Sequence, residues 1–114
     1  MLTIEKLNDL GADTADGLRR CMNNEAFYLR FCGKAIADDG YERLREAIAA
    51  GDLAEAFDRA HALKGVLANV SLTALLTPVA EITEDLRAGK DIDYSPYIER
   101  IFAELEKHRA AAGE

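Results

Sequence analysis

The fold of this chain is decided by residues 53–86, which read LAEAFDRAHALKGVLANVSLTALLTPVAEITEDL. In the first half of the segment, apolar residues recur at alternating spacings of three and four: Leu53, Ala56, Ala60, Leu63, Leu67 and Val70. The second half repeats the pattern with Leu72, Leu75, Val79, Ile82 and Leu86. A stripe of this period is the buried seam of a helix packed almost antiparallel against others. Because the loop between the stripes is short, the segment predicts two adjacent, antiparallel helices of a bundle.

The rest of the chain also predicts helices alone. The only prolines are Pro78 and Pro96, residues that favour helices form long runs, and the alternating pattern of half-buried strands is missing. Breaks at glycines and polar pairs separate seven helices, at about 3–9, 13–21, 25–38, 40–50, 53–69, 72–88 and 96–111. The sequence has no linker, repeat or low-complexity tract. We therefore expect an all-α fold in which residues 1–114 form a single domain.

Local sequence chemistry predicts how several of these helices begin. Asp52 is suited to cap the helix at 53. Ser71 and Ser95 are predicted to cap the two helices that follow, Ser95 with a proline in the first turn. Pro78 lies inside an apolar stripe, so either it kinks that helix or Thr77 caps a helix that begins late. The apolar spacing continues through Pro78 without a shift in phase, which favours the kink.

Charge and composition exclude several classes of function. Lys and Arg number 14 against 21 Asp and Glu, and the resulting net charge of −7 disfavours nucleic acids and anionic membrane surfaces as partners. No apolar run approaches the roughly 20 residues of a membrane-spanning helix, and the N-terminus lacks the apolar block of a signal peptide. We therefore expect a cytoplasmic protein. A monomer is expected because no long apolar face is left over, and the initial Met favours a freestanding chain. Cys21 and Cys32 are expected to be reduced core or near-core residues.

His61 is predicted to lie on the exposed side of the first central helix. At about 100° per residue it points roughly 130° away from the middle of the apolar stripe, and Lys64 and Gly65 follow one turn later. Imidazole is a nucleophile near neutral pH, and an adjacent ammonium could neutralise an incoming phosphoryl group. A glycine inside a helix costs roughly 1 kcal/mol relative to alanine. Gly65 therefore indicates either room for a docking partner over His61 or close packing against a neighbouring helix.

Simpler interpretations of the two histidines stay open on these residues alone. A lone surface histidine in a helical protein is usually just a solvated residue. His108 is interpreted in that way, since a histidine near the end of the last helix is favourable to the helix dipole. Metal binding by His61 is not expected, because no second ligand lies four residues away along the helix.

The residues around His61 resemble the signature of histidine-containing phosphotransfer (HPt) domains. In that family the phosphorylated histidine lies in Ala-His-x-Leu-Lys-Gly, and residues 60–65 read Ala-His-Ala-Leu-Lys-Gly. Further segments are similar to members of the family, at residues 16–20, 24–25, 28–29, 49–52 and 80–90. The resemblance covers about residues 11–90. It implies an antiparallel up-down four-helix bundle with short accessory N-terminal helices, the first bundle helix being broken near Asp39.

Residue by residue, the resemblance assigns roles around the histidine. It implies that His61 accepts the phosphoryl group, that Lys64 stabilises its charge and that Gly65 keeps the approach open. Many members have glycine where this chain has Ala68 and Ser71. Ala68 is still small, and Ser71 is expected to replace a helix-ending glycine with a helix-starting cap.

The function implied is that of a phosphorelay intermediate. A phosphorylated receiver domain of a response regulator or a hybrid histidine kinase would pass its aspartyl phosphoryl group to His61, and a second receiver would collect it. The chain would need no cofactor and no metal of its own, because the receiver supplies Mg²⁺. No nucleotide-binding loop is visible, so no kinase activity is expected. Five further residues share the face of His61 and Lys64 and form the predicted docking face: Phe57, Asp58, Ala62, Gly65 and Ala68.

Two other functions fit parts of the sequence. A helical adaptor could bind a receiver or a kinase helix through the same face without carrying phosphate, although an adaptor has no use for the pairing of His61 with Lys64. A metal- or cofactor-binding bundle would need inward carboxylates with a Glu-x-x-His pattern, which the chain lacks.

Overall fold

A computed structural model describes residues 1–113, and within them every regular element is a helix. There are seven: α1 (Ile4–Asp9), α2 (Thr14–Arg20), α3 (Glu25–Ile36), α4 (Gly40–Ala49), α5 (Leu53–Asn69), α6 (Thr73–Arg87) and α7 (Ser95–Gly113). Each agrees with its predicted range to within two residues at either end. The predicted all-α class is therefore confirmed. None of these helices is long and apolar enough to cross a membrane.

The core lies between α5 and α6, whose apolar stripes face each other. Apart from Leu53, which is half-buried, every residue of the two stripes read from the sequence is buried. Helix α4 packs along α5, and α7 packs along α6. Both α3 and α4 also contact α5 and α7, so these two shorter helices together occupy one side of the assembly. This arrangement is consistent with a four-helix bundle whose first helix is broken.

The break between α3 and α4 is built around Gly40. Its backbone N–H donates to Oδ1 of Asp38 at 2.7 Å. A Cβ at position 40 would lie 3.1 Å from Cδ2 of Leu63, tighter than an ordinary contact. Glycine at this position therefore allows the start of α4 to lie directly against the helix that carries His61.

The predicted caps are partly correct. Asp52 does cap α5, since its Oδ1 accepts from the backbone N–H of Glu55 at 3.1 Å. The cap predicted at Ser71 is wrong. Ser71 has a positive φ of 54°, and its hydroxyl donates to Oδ2 of Asp16 at 2.5 Å instead of capping α6. Ser71 thus occupies the left-handed conformation that ends many helices, which glycine adopts without strain.

The cap predicted at Ser95 is also wrong, and the structure excludes the less favoured alternative at Thr77. Ser95 is the first residue of α7, and Asp93 Oδ1 accepts from its backbone N–H at 2.9 Å, so Ser95 lies inside the helix. Thr77 is not a late cap, because α6 begins at Thr73 and runs through Pro78. The hydroxyl of Thr77 donates back to the carbonyl oxygen of Thr73 at 2.9 Å.

The two cysteines are free thiols inside or beside the core, as predicted. Cys32 is buried and Cys21 is half-buried. Burial raises the pKa of the Cys32 thiol to about 11, so this thiol is uncharged at neutral pH and packs as a small apolar side chain.

Helices α2 and α3 anchor the turn between α5 and α6. The backbone N–H of Asp13 donates to the carbonyl oxygen of Ser71 at 3.0 Å, and the Tyr28 hydroxyl donates to the carbonyl oxygen of Val70 at 2.9 Å. The Ser71 hydroxyl, followed by Arg20, lowers the pKa of Asp16 from its ordinary 3.8 to about 2. Helices α2 and α3 are thereby tied to the end of the helix that bears His61.

Replacing Asp16 by asparagine is expected to destabilise the protein in a manner that depends on pH. Because the pKa of Asp16 is lower in the folded protein, its ionised form contributes stability above about pH 4, and this contribution is lost as the pH falls towards 2. The gap in unfolding free energy between the native protein and Asp16→Asn should therefore shrink between pH 5 and pH 2. Urea unfolding at several pH values measures this gap. The exposed carboxylate Asp9 gives a matched control, Asp9→Asn, and a gap for Asp16→Asn that does not change with pH would contradict the argument.

Candidate functional site

Helix α5 carries His61 on the side turned away from the core. The helix buries Ala56, Ala60, Leu63 and Leu67, and His61 is exposed on the opposite side, as the helical period predicts. Asp52 caps the beginning of the helix, and the anchored turn at Val70 holds its end. The histidine is therefore presented to solvent from the middle of a helix that is fixed at both ends.

The imidazole of His61 lies beside an aromatic ring. The ring centres of Phe57 and His61 are 5.6 Å apart, with 30° between the ring planes. The Arg87 guanidinium lies over the Phe57 ring, 5.0 Å from its centre, and Phe57 is half-buried. Phe57 thus forms a wall on one side of the imidazole and leaves the other sides open to a partner.

Lys64 makes an ion pair with helix α6. Its Nζ lies 3.4 Å from Oε1 of Glu84, and Oε2 of Glu84 lies 3.3 Å from Nε of Arg87. The Lys64 and Glu84 side chains are 37% and 56% exposed. Exposed pairs of this kind contribute little to stability and break easily. The ammonium is therefore close to the histidine along α5 and able to change partners.

Small and short side chains leave the surface beside His61 open. Gly65 is exposed, and a Cβ built on it would meet nothing within 4 Å among the described residues. Close packing against a neighbouring helix therefore does not explain this glycine, and the alternative, room for a partner, fits the structure. Asp58 and Ala62 are exposed and Ala68 is half-buried, so the predicted docking face is one continuous surface of α5.

A groove of about 640 Å³ adjoins this face on the side of α3. Its walls include Phe31 and Lys34 from α3 and Val66 and Asn69 from α5. Phe31 is 42% exposed, and Val66 lies one turn beyond Ala62 on α5. The docking face predicted from α5 alone is therefore continuous with a groove whose walls combine apolar side chains with charged ones.

Sequence reasoning missed the contributions of α6 to this site. Glu84 and Arg87 were given no role, although they contact Lys64 and Phe57. In antiparallel helices, residues at similar distances from the connecting turn lie opposite each other, which brings Arg87 near Phe57. These contacts also depend on the rotation of α6 about its own axis. The spacing of apolar residues gives that rotation only coarsely, so it does not predict which charged side chains will pair.

The two histidines are in opposite environments. His108 was expected to be solvated, but it is buried, and its Nδ1 lies 2.6 Å from the carbonyl oxygen of Glu104, to which it donates. Its Nε2 is enclosed without a hydrogen-bond partner among the described residues. The predicted exposure of His108 is therefore wrong. Of the two histidines, His61 is the one that another protein can reach.

The described residues do not form a metal centre. Across residues 1–113, His, Cys, Asp and Glu side chains do not gather into a group of three or more that could hold a metal ion. The groups around His61 are the Lys64 ammonium, the Arg87 guanidinium, the Glu84 carboxylate and the Phe57 ring, with the Asp58 carboxylate exposed on the same face of α5.

A comparison with models of protein families identifies the family to which this chain belongs. The model of the Hpt domain family matches residues 36–111, which is 76 of the 114 residues. The chain belongs to the Hpt domain family. No curated protein and no solved structure matches the chain. Hpt domains carry out histidine phosphotransfer in two-component phosphorelays, and they interact with receiver domains and kinases.

The family match covers only part of this Hpt domain. It begins at Ile36 and ends at Ala111, so it includes α4, α5, α6 and most of α7. The resemblance read from residues 16–29 lies outside it and stays a prediction. The site on α5 and its neighbours on α6 lie wholly inside the match.

Proposed function

We propose that this Hpt domain is a phosphorelay intermediate in which His61 accepts a phosphoryl group from the aspartyl phosphate of one receiver domain and passes it to another. The observation that carries the proposal is the exposure of His61, within the sequence Ala-His-Ala-Leu-Lys-Gly, on an unobstructed face of α5. The other histidine, His108, is buried and offers no comparable access.

The transfer is a single displacement at phosphorus. The imidazole nitrogen that carries no hydrogen attacks with its lone pair, in line with the P–O bond of the aspartyl phosphate. An N–P bond forms as the P–O bond breaks, the aspartate carboxylate leaves with the bonding electrons, and the other ring nitrogen keeps its hydrogen. The reverse reaction delivers the group to a second receiver. This chain supplies the nucleophile, and the receiver supplies the acidic pocket with its Mg²⁺.

Lys64 is proposed to neutralise the phosphoryl group once it is on His61. A phosphoryl group brings about two negative charges, and the Lys64 ammonium is the cation that follows His61 by one helical turn. Its ion pair with Glu84 is exposed and 3.4 Å long, so the ammonium can leave the carboxylate for a more highly charged acceptor.

The receiver is proposed to cover the groove beside α3 as well as the face of α5. A stable interface buries about 800 Å² on each partner, more than one face of a single helix provides. The adjoining groove contributes Phe31 and Val66 beside the charged side chains of Lys34 and Asp38, and the centre of an interface is built mainly from apolar groups with polar groups at its rim.

Replacing Phe31 by aspartate is expected to raise the KM for the phosphorylated receiver by about tenfold, because a charge would be buried against the partner. The maximal transfer rate should change much less, since Phe31 does not contact His61. Ile92, which is 45% exposed in the loop before α7, gives the matched control Ile92→Asp, expected to leave KM as in the native protein. Equal KM values for native and Phe31→Asp proteins would place the receiver elsewhere.

The proposal is tested by incubating the protein with a panel of labelled, phosphorylated receiver domains. Label that is acid-labile and alkali-stable on the protein is expected, because phosphohistidine has this stability and aspartyl phosphate does not. If no receiver transfers label but one binds, the protein is an adaptor that uses the same face without carrying phosphate. If His61 takes the group from one receiver and no other receiver accepts it from His61, only the first step, phosphorylation of His61, stands.

The proposal also covers the oligomeric state, the location and the domain organisation of the protein. We propose a monomer located in the cytoplasm, with residues 1–114 acting as one domain and with no cofactor of its own. The exposed His61 face supports a monomer that meets its receivers transiently, since a permanent partner on this face would block transfer. Sedimentation of the purified protein measures the oligomeric state directly.

A further inference from the structure

We infer that Glu84 competes with the phosphoryl group for Lys64 and thereby limits how far phosphotransfer to His61 proceeds. The inference rests on the proposed function. In it, Glu84 is a positioning residue: it acts through Lys64 and does not touch the reacting atoms.

The contacts around Glu84 show a carboxylate shared between two cations. Its Oε1 lies 3.4 Å from Nζ of Lys64 on α5, and its Oε2 lies 3.3 Å from Nε of Arg87 on α6. Arg87 in turn lies over the Phe57 ring, which lies beside His61. Glu84 is therefore the carboxylate that pairs with Lys64, while the other carboxylate on this face, that of Asp58, precedes His61 by three residues on α5.

This arrangement makes the exchange of Lys64 between two acceptors easy. A phosphoryl group on His61 carries more charge than a carboxylate and is the stronger acceptor for an ammonium. When Lys64 leaves Glu84, Arg87 still pairs with that carboxylate, so no charge is left without a partner. The structure thus represents the unphosphorylated protein with Lys64 held by Glu84.

The same arrangement opposes phosphorylation. Before Lys64 can neutralise the phosphoryl group, its pair with Glu84 must break, and the carboxylate that remains repels the new negative charge. Both effects lower the equilibrium population of phosphorylated His61. A moderate population suits an intermediate that must release the group to a second receiver, because a product held too firmly would not be passed on.

Glu84→Gln tests the inference, because glutamine keeps the size of the side chain and removes its charge. We expect the equilibrium constant for transfer from a phosphorylated receiver to the protein to rise about threefold, the size expected when an exposed ion pair is removed. The constant is measured from the distribution of label between receiver and protein at equilibrium. The half-life of the phosphohistidine, measured after the receiver is removed, should lengthen in parallel.

Two controls separate a role at the site from a general effect of charge or stability. Glu81→Gln removes a carboxylate one turn earlier on α6 that pairs with Arg100 at 2.6 Å, and it should leave the equilibrium constant unchanged. Glu84→Gln in a Lys64→Ala background should have a smaller effect than in the native background. Thermal unfolding of every variant shows whether the fold is retained.

The outcomes distinguish this inference from the function on which it rests. If the native protein takes no label from any receiver, the phosphocarrier function itself fails. If the native protein takes label and Glu84→Gln matches it, or gives the same change with and without Lys64, the competition for Lys64 is overturned and the phosphocarrier function stands.

Discussion

Replacing His61 by glutamine is expected to abolish phosphoryl transfer to the protein completely. Glutamine is of similar length and polarity, but its amide nitrogen has no lone pair able to attack phosphorus. His61 is exposed on α5 and lies against the half-buried Phe57 ring, and glutamine can take its place on the helix surface, so the variant should fold and bind a receiver as the native protein does. The measurement is label transferred from the cognate phosphorylated receiver, together with receiver binding by titration calorimetry.

His108 supplies the matched control for this result. Leucine is apolar, and it removes the enclosed Nε2 that has no partner among residues 1–113 together with the hydrogen bond from Nδ1 to the carbonyl oxygen of Glu104. We expect His108→Leu to fold and to take label like the native protein. Label on His61→Gln, or loss of label in a folded His108→Leu, would mean that the phosphoacceptor has been assigned to the wrong residue.

Replacing Gly17 by alanine is expected to destabilise the protein strongly. A Cβ at position 17 would overlap Cε1 of Tyr28 and lie 2.6 Å from its Cζ. Tyr28 is fully buried, and its hydroxyl is bound to the carbonyl oxygen of Val70 at 2.9 Å, so the ring has no free space to enter. Overpacking of this kind costs about 3 kcal/mol, against about 1 kcal/mol gained from the helix propensity of alanine.

The net loss of about 2 kcal/mol should lower the Tm by about 10 °C in a domain of this size. Gly65→Ala is the matched control, because it adds the same methyl group to a helix where a Cβ meets no atom within 4 Å. That variant should gain up to about 1 kcal/mol from helix propensity. Thermal unfolding of both variants measures the contrast, and a Tm for Gly17→Ala at or above the native value would show that α2 and α3 are not packed as described.

The positions of the helices could be predicted from the sequence because the signals are local. The stripes from Leu53 to Val70 and from Leu72 to Leu86 repeat at the helical period, and burial follows directly from that period. The exposure of His61 has the same origin, since its angle from the stripe is set by counting residues along one helix. Asp52 was also correctly assigned, because a cap depends on a backbone N–H only three residues away.

The wrong predictions concern residues whose environment is set by parts of the chain that are far away in sequence. Ser71 looks like a helix cap when only its neighbours are considered, but Asp16, which is 55 residues away in the chain, takes its hydroxyl. His108 lies near the end of a helix and was expected to be solvated, yet it is buried among the other helices. No pattern of apolar and polar residues within one helix predicts either of these environments.

Sequence patterns are enough to predict the all-α class, the helical segments, and a histidine on an exposed helix face followed by a lysine and a glycine one turn later. These features depend on the period and the chemistry of a single helix, so they can be read without knowing its neighbours. The packing of the helices was needed to show that Glu84 and Arg87 join the site, that Gly65 borders open space and that the two histidines differ in exposure. Such features depend on the rotation and spacing of helices relative to one another, which arise from the packing of the whole core and not from any one segment.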